Sequence, residues 1–233
     1  MATNTVAQKK RRAWTTTVFV KQLMALSGLF LIFFLLFHAY GNLKLFIGPE
    51  AYDSYAEWLH NDAFYPIFPH GTFIWVFRFL LLGAFLIHIF AAAHVWAKSK
   101  RARRHGYVMK RSAVDAYAAR TMRITGVLLL FLIIFHLLQF TTLTIKTGFT
   151  AADTPYERVV ASFQEPWVFI MYLIFVALVT VHVAHGFWSA FQTMGWVRKN
   201  TRTFMLWLSG IIAGAIFVMF MLPPLFIATG VIR

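Results

Sequence analysis

The sequence has no cysteine, and only 8 of its 233 residues are acidic. Without cysteine there is no disulfide framework, thiolate nucleophile, zinc knot or cysteine-held iron–sulfur cluster, so a redox metal would have to be held by His, Met or carboxylate. Charge of either sign is scarce, at 13% of residues, where an ordinary globular domain carries about 25%. A soluble fold of this size has no means of covering its surface with so few charges. Internal repeats and low-complexity tracts are not evident either. What is abundant is apolar: 60% of the chain is hydrophobic and 18% aromatic, including 26 Phe. That excludes disorder, which depends on low hydrophobicity. The net charge of +14 would suggest nucleic acid in a soluble protein. Here Lys and Arg sit in short blocks between apolar runs, as in a multi-span membrane protein, and no nucleic-acid partner is expected.

A bilayer-spanning helix needs about 20 mostly apolar residues. Five runs qualify, at about 18–40, 72–97, 124–145, 167–192 and 204–228. The expected fold is an all-α integral membrane protein: a basic tail, 1–17, then one five-helix domain, 18–233. Lys9, Lys10, Arg11 and Arg12 precede the first run. The second connection carries Lys98, Lys100, Arg101, Arg103, Arg104, Lys110, Arg111 and Arg120, and the fourth Arg198, Lys199 and Arg202. The first and third collect Glu50, Asp53, Glu57, Asp62, Asp153, Glu157 and Glu165. By the positive-inside rule the amino terminus is cytoplasmic and the carboxyl terminus outside, across the cell membrane. The first run is longer than the roughly 7–15 apolar residues of a signal peptide and is expected to remain in the mature protein. Trp and Tyr around Tyr52 to His60 point to a short interfacial helix.

Nine histidines are the informative feature. His60, His70 and His105 fall in connections or at span edges, where solvation is the ordinary reading. His38, His88, His94, His136, His182 and His185 fall within or near the ends of spans, where an ionisable side chain is costly and marks a functional site by default. At about 1.5 Å per residue, His38 lies about 30 Å and His136 about 20 Å from the cytoplasmic start of their spans. His88 and His182 each lie about 24 Å from the outer start of theirs. This gives an outer pair, His38 with His136, and an inner pair, His88 with His182. The two outer depths differ by roughly 10 Å, within reach of helix tilt and boundary error.

Paired imidazoles on facing helices are what six-coordinate haem b requires, the porphyrin supplying four equatorial nitrogens and each neutral imidazole an axial lone pair. Zinc fits less well, since it wants about four clustered ligands. Membrane di-iron enzymes use histidine boxes that this chain lacks. His182 and His185 share a helix face at i, i+3, so only one need be a ligand. The other would meet a haem propionate or a backbone carbonyl. His94 lies about 240° round the helix from His88 and reads as an interfacial residue.

The stretches HAYGNLKLFIGPEAYDSYAEWL, RTMRITG, VVASFQ and HVAHGFWSAFQTMGW, in that order, resemble the cytochrome b subunit of succinate dehydrogenase (succinate:quinone oxidoreductase). The likeness is to the single-chain, five-helix form of actinobacteria and related Gram-positive lineages, and runs from about Val18 to Trp196. It implies a bundle enclosing two bis-histidine haems b, with a flavoprotein (FAD) subunit and an iron–sulfur subunit docked on the cytoplasmic face. Electrons from succinate would reach the inner haem through the flavin and clusters and end on a membrane quinone, with menaquinone the expected form. The chain itself would hold no dicarboxylate site, and an oligomer of the whole complex is compatible with the likeness. The family pattern matches His38 with Asn42, His136 about ten residues past Arg123, Thr125 and Gly126, and His182 with Gly186, Phe187 and Trp188. It favours His182 over His185. His88 takes the remaining ligand position, with Ala92 where the family has a glycine.

Quinone reduction needs a hydrogen-bond donor at each carbonyl and a proton source. The outer candidates are Glu57, His60, His70 and Arg78; the inner ones are Lys21, Gln22, Ser27 and Arg123. Arg78 either pairs with a propionate or snorkels to the interface, Arg123 and His185 are further propionate candidates, and Ser27 beside Gly28 also suits a small-residue helix contact. Basic connections attract anionic lipid in any such topology. Two rivals stand beside this reading: the b-type cytochrome subunit of a hydrogenase or formate dehydrogenase, and a transporter using intramembrane His as a proton relay.

Overall fold

The computed structural model describes residues 16–102 and 113–233, with the backbone alone from 113 to 119. The tail with Lys9 to Arg12, and Arg103, Arg104, His105, Lys110 and Arg111 of the second connection, lie outside the described residues. Among the described residues seven α-helices follow one another: α1 (Thr17–Leu43), α2 (Pro49–Asn61), α3 (Thr72–Arg101), α4 (Ala113–Phe140), α5 (Pro155–Gln164), α6 (Pro166–Thr193) and α7 (Arg202–Ala228), with a 3₁₀ turn at Lys44–Phe46. Five of them, α1, α3, α4, α6 and α7, are long and apolar enough to cross a bilayer. Among the described residues there is no strand.

The helix limits follow local chemistry. Thr16 begins α1 by accepting the Phe19 N–H on its hydroxyl, 3.3 Å. Pro166 disfavours helix at the residue before it, so Glu165 is extended and α5 ends where α6 begins. The third apolar run was expected to reach 145, but α4 stops at Phe140. There the amides of Thr141 and Thr142 both fold back to the Leu137 carbonyl, Leu143 takes a left-handed φ of 55°, and the Thr142 hydroxyl bonds the Leu138 carbonyl. Threonine hydroxyls compete with helix continuation, and apolar content alone does not register that. At its other end α4 reaches back to Ala113, eleven residues before the expected start at 124.

The first turn of α5 is fully accounted for. Pro155 has no N–H, Asp53 of α2 accepts from the Tyr156 amide at 2.8 Å, and Thr154 and Glu157 form a reciprocal capping box. Gly148 has φ +74°, and a Cβ there would lie 2.7 Å from the Ala161 carbonyl oxygen, so the α4–α5 connection can lie against α5 only with glycine at this position.

α6 is the hub of the bundle, packing on α1, α4, α5 and α7, while α1 also packs on α3 and α7. The backbones of α1 and α4, and of α3 and α6, do not pack closely. Large side chains instead crowd a core of Leu45, Tyr156, Phe163, Val168, Tyr172 and Ile227, and a second of Ile32, Val183, Phe187, Ala213 and Ile216. Outward faces carry exposed Trp75, Phe79, Phe90 and Phe131, as a lipid-facing surface does. Among the described residues the buried polar ones, Ser27, Thr125, Gln139, Thr147, Ser162 and Ser209, are all uncharged. In a bundle whose outside is apolar, these buried groups hold the specific information.

Replacing Asp53 with Ala removes the acceptor for the Tyr156 amide. Loss of such a cap costs about 1 kcal/mol, read as a lower thermal midpoint of the detergent-solubilised protein; an unchanged midpoint would show that water takes over the amide.

Candidate functional site

Two histidine pairs face one another inside the bundle, at two levels. His38 of α1 and His136 of α4 have ring centroids 5.9 Å apart, and His88 of α3 and His182 of α6 have theirs 6.3 Å apart. These are the two helix couples whose backbones stay apart. The 10 Å mismatch in the sequence-derived outer depths has a simple origin. The third span was counted from 124, but α4 is already helical at Ala113, 23 residues before His136, against 21 residues from Thr17 to His38 in α1.

Three of these rings have Nδ1 engaged in a hydrogen bond. Ser27 donates its proton to the Leu23 carbonyl at 2.7 Å, so its oxygen is left to accept from His88 Nδ1 at 3.4 Å; the same Nδ1 lies 3.1 Å from the Met24 carbonyl, which can only accept. Thr125 donates to the Thr121 carbonyl at 2.9 Å and accepts from His182 Nδ1 at 3.0 Å. Tyr172 donates to Gln139 Oε1 at 2.7 Å and so accepts from His136 Nδ1 at 3.1 Å. A neutral imidazole with its proton on Nδ1 carries its lone pair on Nε2. Among the described residues no Nε2 of the four rings has a hydrogen-bond partner. Glycines keep the approach close: a Cβ on Gly28 would lie 3.0 Å from His88 Cε1, and one on Gly126 3.5 Å from His182 Cε1.

The fourth ring differs. His38 has neither nitrogen hydrogen-bonded among the described residues, and is held by stacking on Phe34 at 5.2 Å and by Phe220 at 5.5 Å.

α1 and α4 carry the same pattern. Ser27-Gly28 stands eleven residues before His38, and Thr125-Gly126 eleven before His136, in SGLFLIFFLLFH and TGVLLLFLIIFH. Eleven residues are about three helical turns, so hydroxyl and histidine share a face at two depths. This is a short internal repeat, not noticed in the sequence, where the eye rests on the histidines and passes over the small residues. Thr125 and Gly126, which the resemblance places ahead of His136, contact the inner His182.

A metal held at such a level finds only two protein donors; among the described residues no group of three or more His, Asp or Glu is placed to hold one. The metal must bring its remaining ligands with it, as a porphyrin does. A first-row metal sits about 2 Å from an imidazole nitrogen, which puts two rings on opposite sides of one ion about 6 Å apart between centroids. The observed pairs fit that span, and the donor set fits haem b.

The other candidates are divided. His60 donates from Nδ1 to the Ala56 carbonyl at 2.7 Å and accepts from Arg78 on Nε2 at 3.2 Å, and Arg78 also lies over the Trp75 ring at 5.0 Å. Arg78 is thus neither snorkelling freely nor in the bundle interior; it ties α2 to α3. His70 pairs with Asp62 at 2.6 Å on an exposed surface. Ser27 is engaged with His88. Glu57, Lys21, Gln22 and Arg123 have no hydrogen-bond or ion-pair partner among the described residues, and neither does His185, which is partly buried. His94 is exposed. Glu57 and His60 share an outer groove between α2 and α5 with Asp53, Asp153 and Arg158. Nearby, burial pushes the Tyr52 hydroxyl up to about 12, with smaller pushes from Asp53 and Tyr55. Hydrogen bonds from the Thr150 amide and hydroxyl hold the Asp153 carboxyl below its ordinary range.

Sequence reasoning did not single out Tyr172, Gln139, Thr147 or Ser162. Their signal was present: a Gln and a Tyr inside apolar runs, the Gln three residues after His136, are polar groups that hydrocarbon leaves no option but to pair.

Fold and site together define a multi-pass helical membrane protein with two facing histidine pairs in its interior. Residues 96–222, more than half of the chain, match the family model of the succinate dehydrogenase/fumarate reductase transmembrane subunit, and the chain belongs to this family. No curated protein and no solved structure matched. The protein is therefore a membrane subunit of an oxidoreductase complex, and the family is that of succinate dehydrogenase and fumarate reductase and not of a hydrogenase or formate dehydrogenase.

Replacing Thr125 with Val leaves the His182 N–H buried without an acceptor, at a cost of about 1–3 kcal/mol. Thr125→Val is expected to melt earlier than wild type and Thr125→Ser to stay close to it; equal midpoints for all three would remove the hydrogen bond from the account.

Proposed function

We propose that this chain is the cytochrome b anchor of a succinate:quinone oxidoreductase (respiratory complex II), in the single-chain form with two haems b, and that it passes electrons from succinate oxidation to a membrane quinone. His38 and His136 hold the outer haem, and His88 and His182 the inner. Bound there, the haem irons supply two one-electron centres at different depths. The supporting observation is that two facing pairs each present Nε2 lone pairs, three of them fixed by an acceptor on the opposite ring nitrogen. In metal sites generally, that second hydrogen bond sets the tautomer and raises ligand basicity.

The residues of the chain divide the remaining work. Ser27, Met24, Thr125 and Tyr172 orient the rings. Gly28 and Gly126 leave them room, and the apolar packing of α1, α6 and α7 keeps water from the interior. The family supports docking of the flavoprotein and iron–sulfur subunits, which we assign to the cytoplasmic face with the basic second and fourth connections; the amino terminus lies on that side and the carboxyl terminus outside. For the quinone, menaquinone by the resemblance, the groups without a partner among the described residues are Lys21, Gln22 and Arg123 at the inner end and Glu57 at the outer. Ser27, His60, His70 and Arg78 already have partners. Arg123 and His185 are also free to meet a propionate, which Arg78, bonded to His60, is not.

A pyridine haemochrome assay on the purified chain is expected to give two haems b per polypeptide, and colourless protein would overturn the reading. Within it, His182→Ala should lose the inner haem and His185→Ala keep both; the reverse result would move the ligand to His185. His38→Ala should lose the outer haem alone.

A further inference from the structure

The two levels are held in different ways. At the inner level each histidine leans on a hydroxyl already bonded into its own helix. At the outer level His136 begins a chain of buried groups that leaves the helix altogether. Tyr172 accepts from His136 Nδ1 at 3.1 Å and donates to Gln139 Oε1 at 2.7 Å; Gln139 Nε2 donates to Thr147 at 2.6 Å, and Thr147 to Ser162 at 2.9 Å. Gln139 and Ser162 are 0% exposed. Every bond in the series donates in the same direction, away from His136.

That direction follows from the amide of Gln139, whose Oε1 faces Tyr172 and whose Nε2 faces Thr147. An amide oxygen can only accept and an amide nitrogen can only donate, so Gln139 orients the bonds on both sides of it. The phenol has one proton, and giving it to Gln139 leaves its oxygen to accept from His136. Turned the other way, Tyr172 would donate to Nδ1 and drive the imidazole proton onto Nε2, where it would occupy the lone pair. The same amide makes the series a poor proton conductor, because relaying a proton through it requires the imidic acid form. The chain therefore positions a ring and sets its charge distribution. His38 has no such partner among the described residues, so the device acts on the His136 side of the outer pair.

We propose that Tyr172, oriented by Gln139 and anchored through Thr147 and Ser162, is a positioning residue that keeps the His136 proton on Nδ1 and sets the potential of the outer haem apart from that of the inner. This rests on the two-haem reading above. An Nδ1–H donated to an acceptor makes the ligand more basic, which favours the oxidised iron. Removing the acceptor should move the potential upward.

The test is a redox titration of the purified two-haem protein, followed by visible and low-temperature EPR spectra, comparing wild type with Tyr172→Phe. The ring of Tyr172 packs against Phe163 at 5.0 Å and Phe175 at 5.7 Å, and phenylalanine preserves both contacts. The expected result is a more positive potential and altered low-spin EPR signal for the outer haem, with the inner haem unmoved. An unchanged outer potential, or equal shifts at both haems, overturns the proposal. If Tyr172→Phe does not accumulate, Gln139→Leu decides: it keeps the phenol but removes the acceptor that orients it. A shift or loss confined to the outer haem supports the proposal, and an unmoved potential rejects it. Wild-type protein without haem would instead reject the function proposed above and leave the hydrogen-bond series unexplained.

Discussion

An imidazole at membrane depth has two ring nitrogens to satisfy and no water to do it. In this bundle one nitrogen is satisfied by an oxygen whose own proton is already committed elsewhere: Ser27 to Leu23, Thr125 to Thr121, Tyr172 to Gln139. Had Thr125 or Tyr172 been free to donate, its ring could have taken the other tautomer; at His88 the Met24 carbonyl also calls for the Nδ1 proton. Back-bonding of a Ser or Thr to the carbonyl four residues earlier is usually counted as a small local cost to a helix. Here it converts an ambivalent hydroxyl into a fixed acceptor. The direction of the Nε2 lone pairs, and with it any chemistry between the facing rings, depends on that conversion.

The architecture gives this arrangement room. α6 and α1 form the spine with α7, which carries no histidine and packs on both. α3 and α4 are held at the sides, so the helices that bear facing rings need not touch through their backbones. The three-turn spacing from hydroxyl to histidine on α1 and α4 lets each serve both levels, offering a ring at one depth and an acceptor for a neighbour's ring at the other. Glycine directly after the hydroxyl is a steric requirement, because the accepted ring lies over it: an added Cβ at Gly28 would be 3.0 Å from His88.

Much of this was legible in the sequence. Five apolar runs appear as five long helices because hydropathy over about 20 residues reports the bilayer requirement directly. The histidine pairs followed from counting residues along alternating spans, since ionisable groups are rare at that depth. The end of α4 was not legible, because the Thr142 hydroxyl acts on the backbone, at the Leu138 carbonyl, in a way that composition does not record. Nor was the series from Tyr172 to Ser162. It depends on how α6 is rotated against α4 and on the α4–α5 connection folding back over α5, and neither has a local signature beyond Gly148. The repeat of hydroxyl, glycine and histidine was plain in the letters. It went unread because its meaning lies between helices: each hydroxyl serves the histidine of a different helix, not the one that follows it.

The two levels therefore differ in what they can sense. Ser27 and Thr125 take their orientation from the helix they belong to, and the inner rings inherit the rigidity of hydrocarbon-embedded helix. Tyr172 takes its orientation from Gln139, and Gln139 from Thr147 and Ser162, which lie in the connection and short helix at the outer end. α5 is in turn capped by Asp53 of α2, so the outer connections form one hydrogen-bonded layer reaching down to His136. A disturbance of that layer has a route to the outer pair through directed hydrogen bonds. It has no comparable hydrogen-bonded route, among the described residues, to His88 or His182, whose hydroxyl partners Ser27 and Thr125 lie three turns away along α1 and α4.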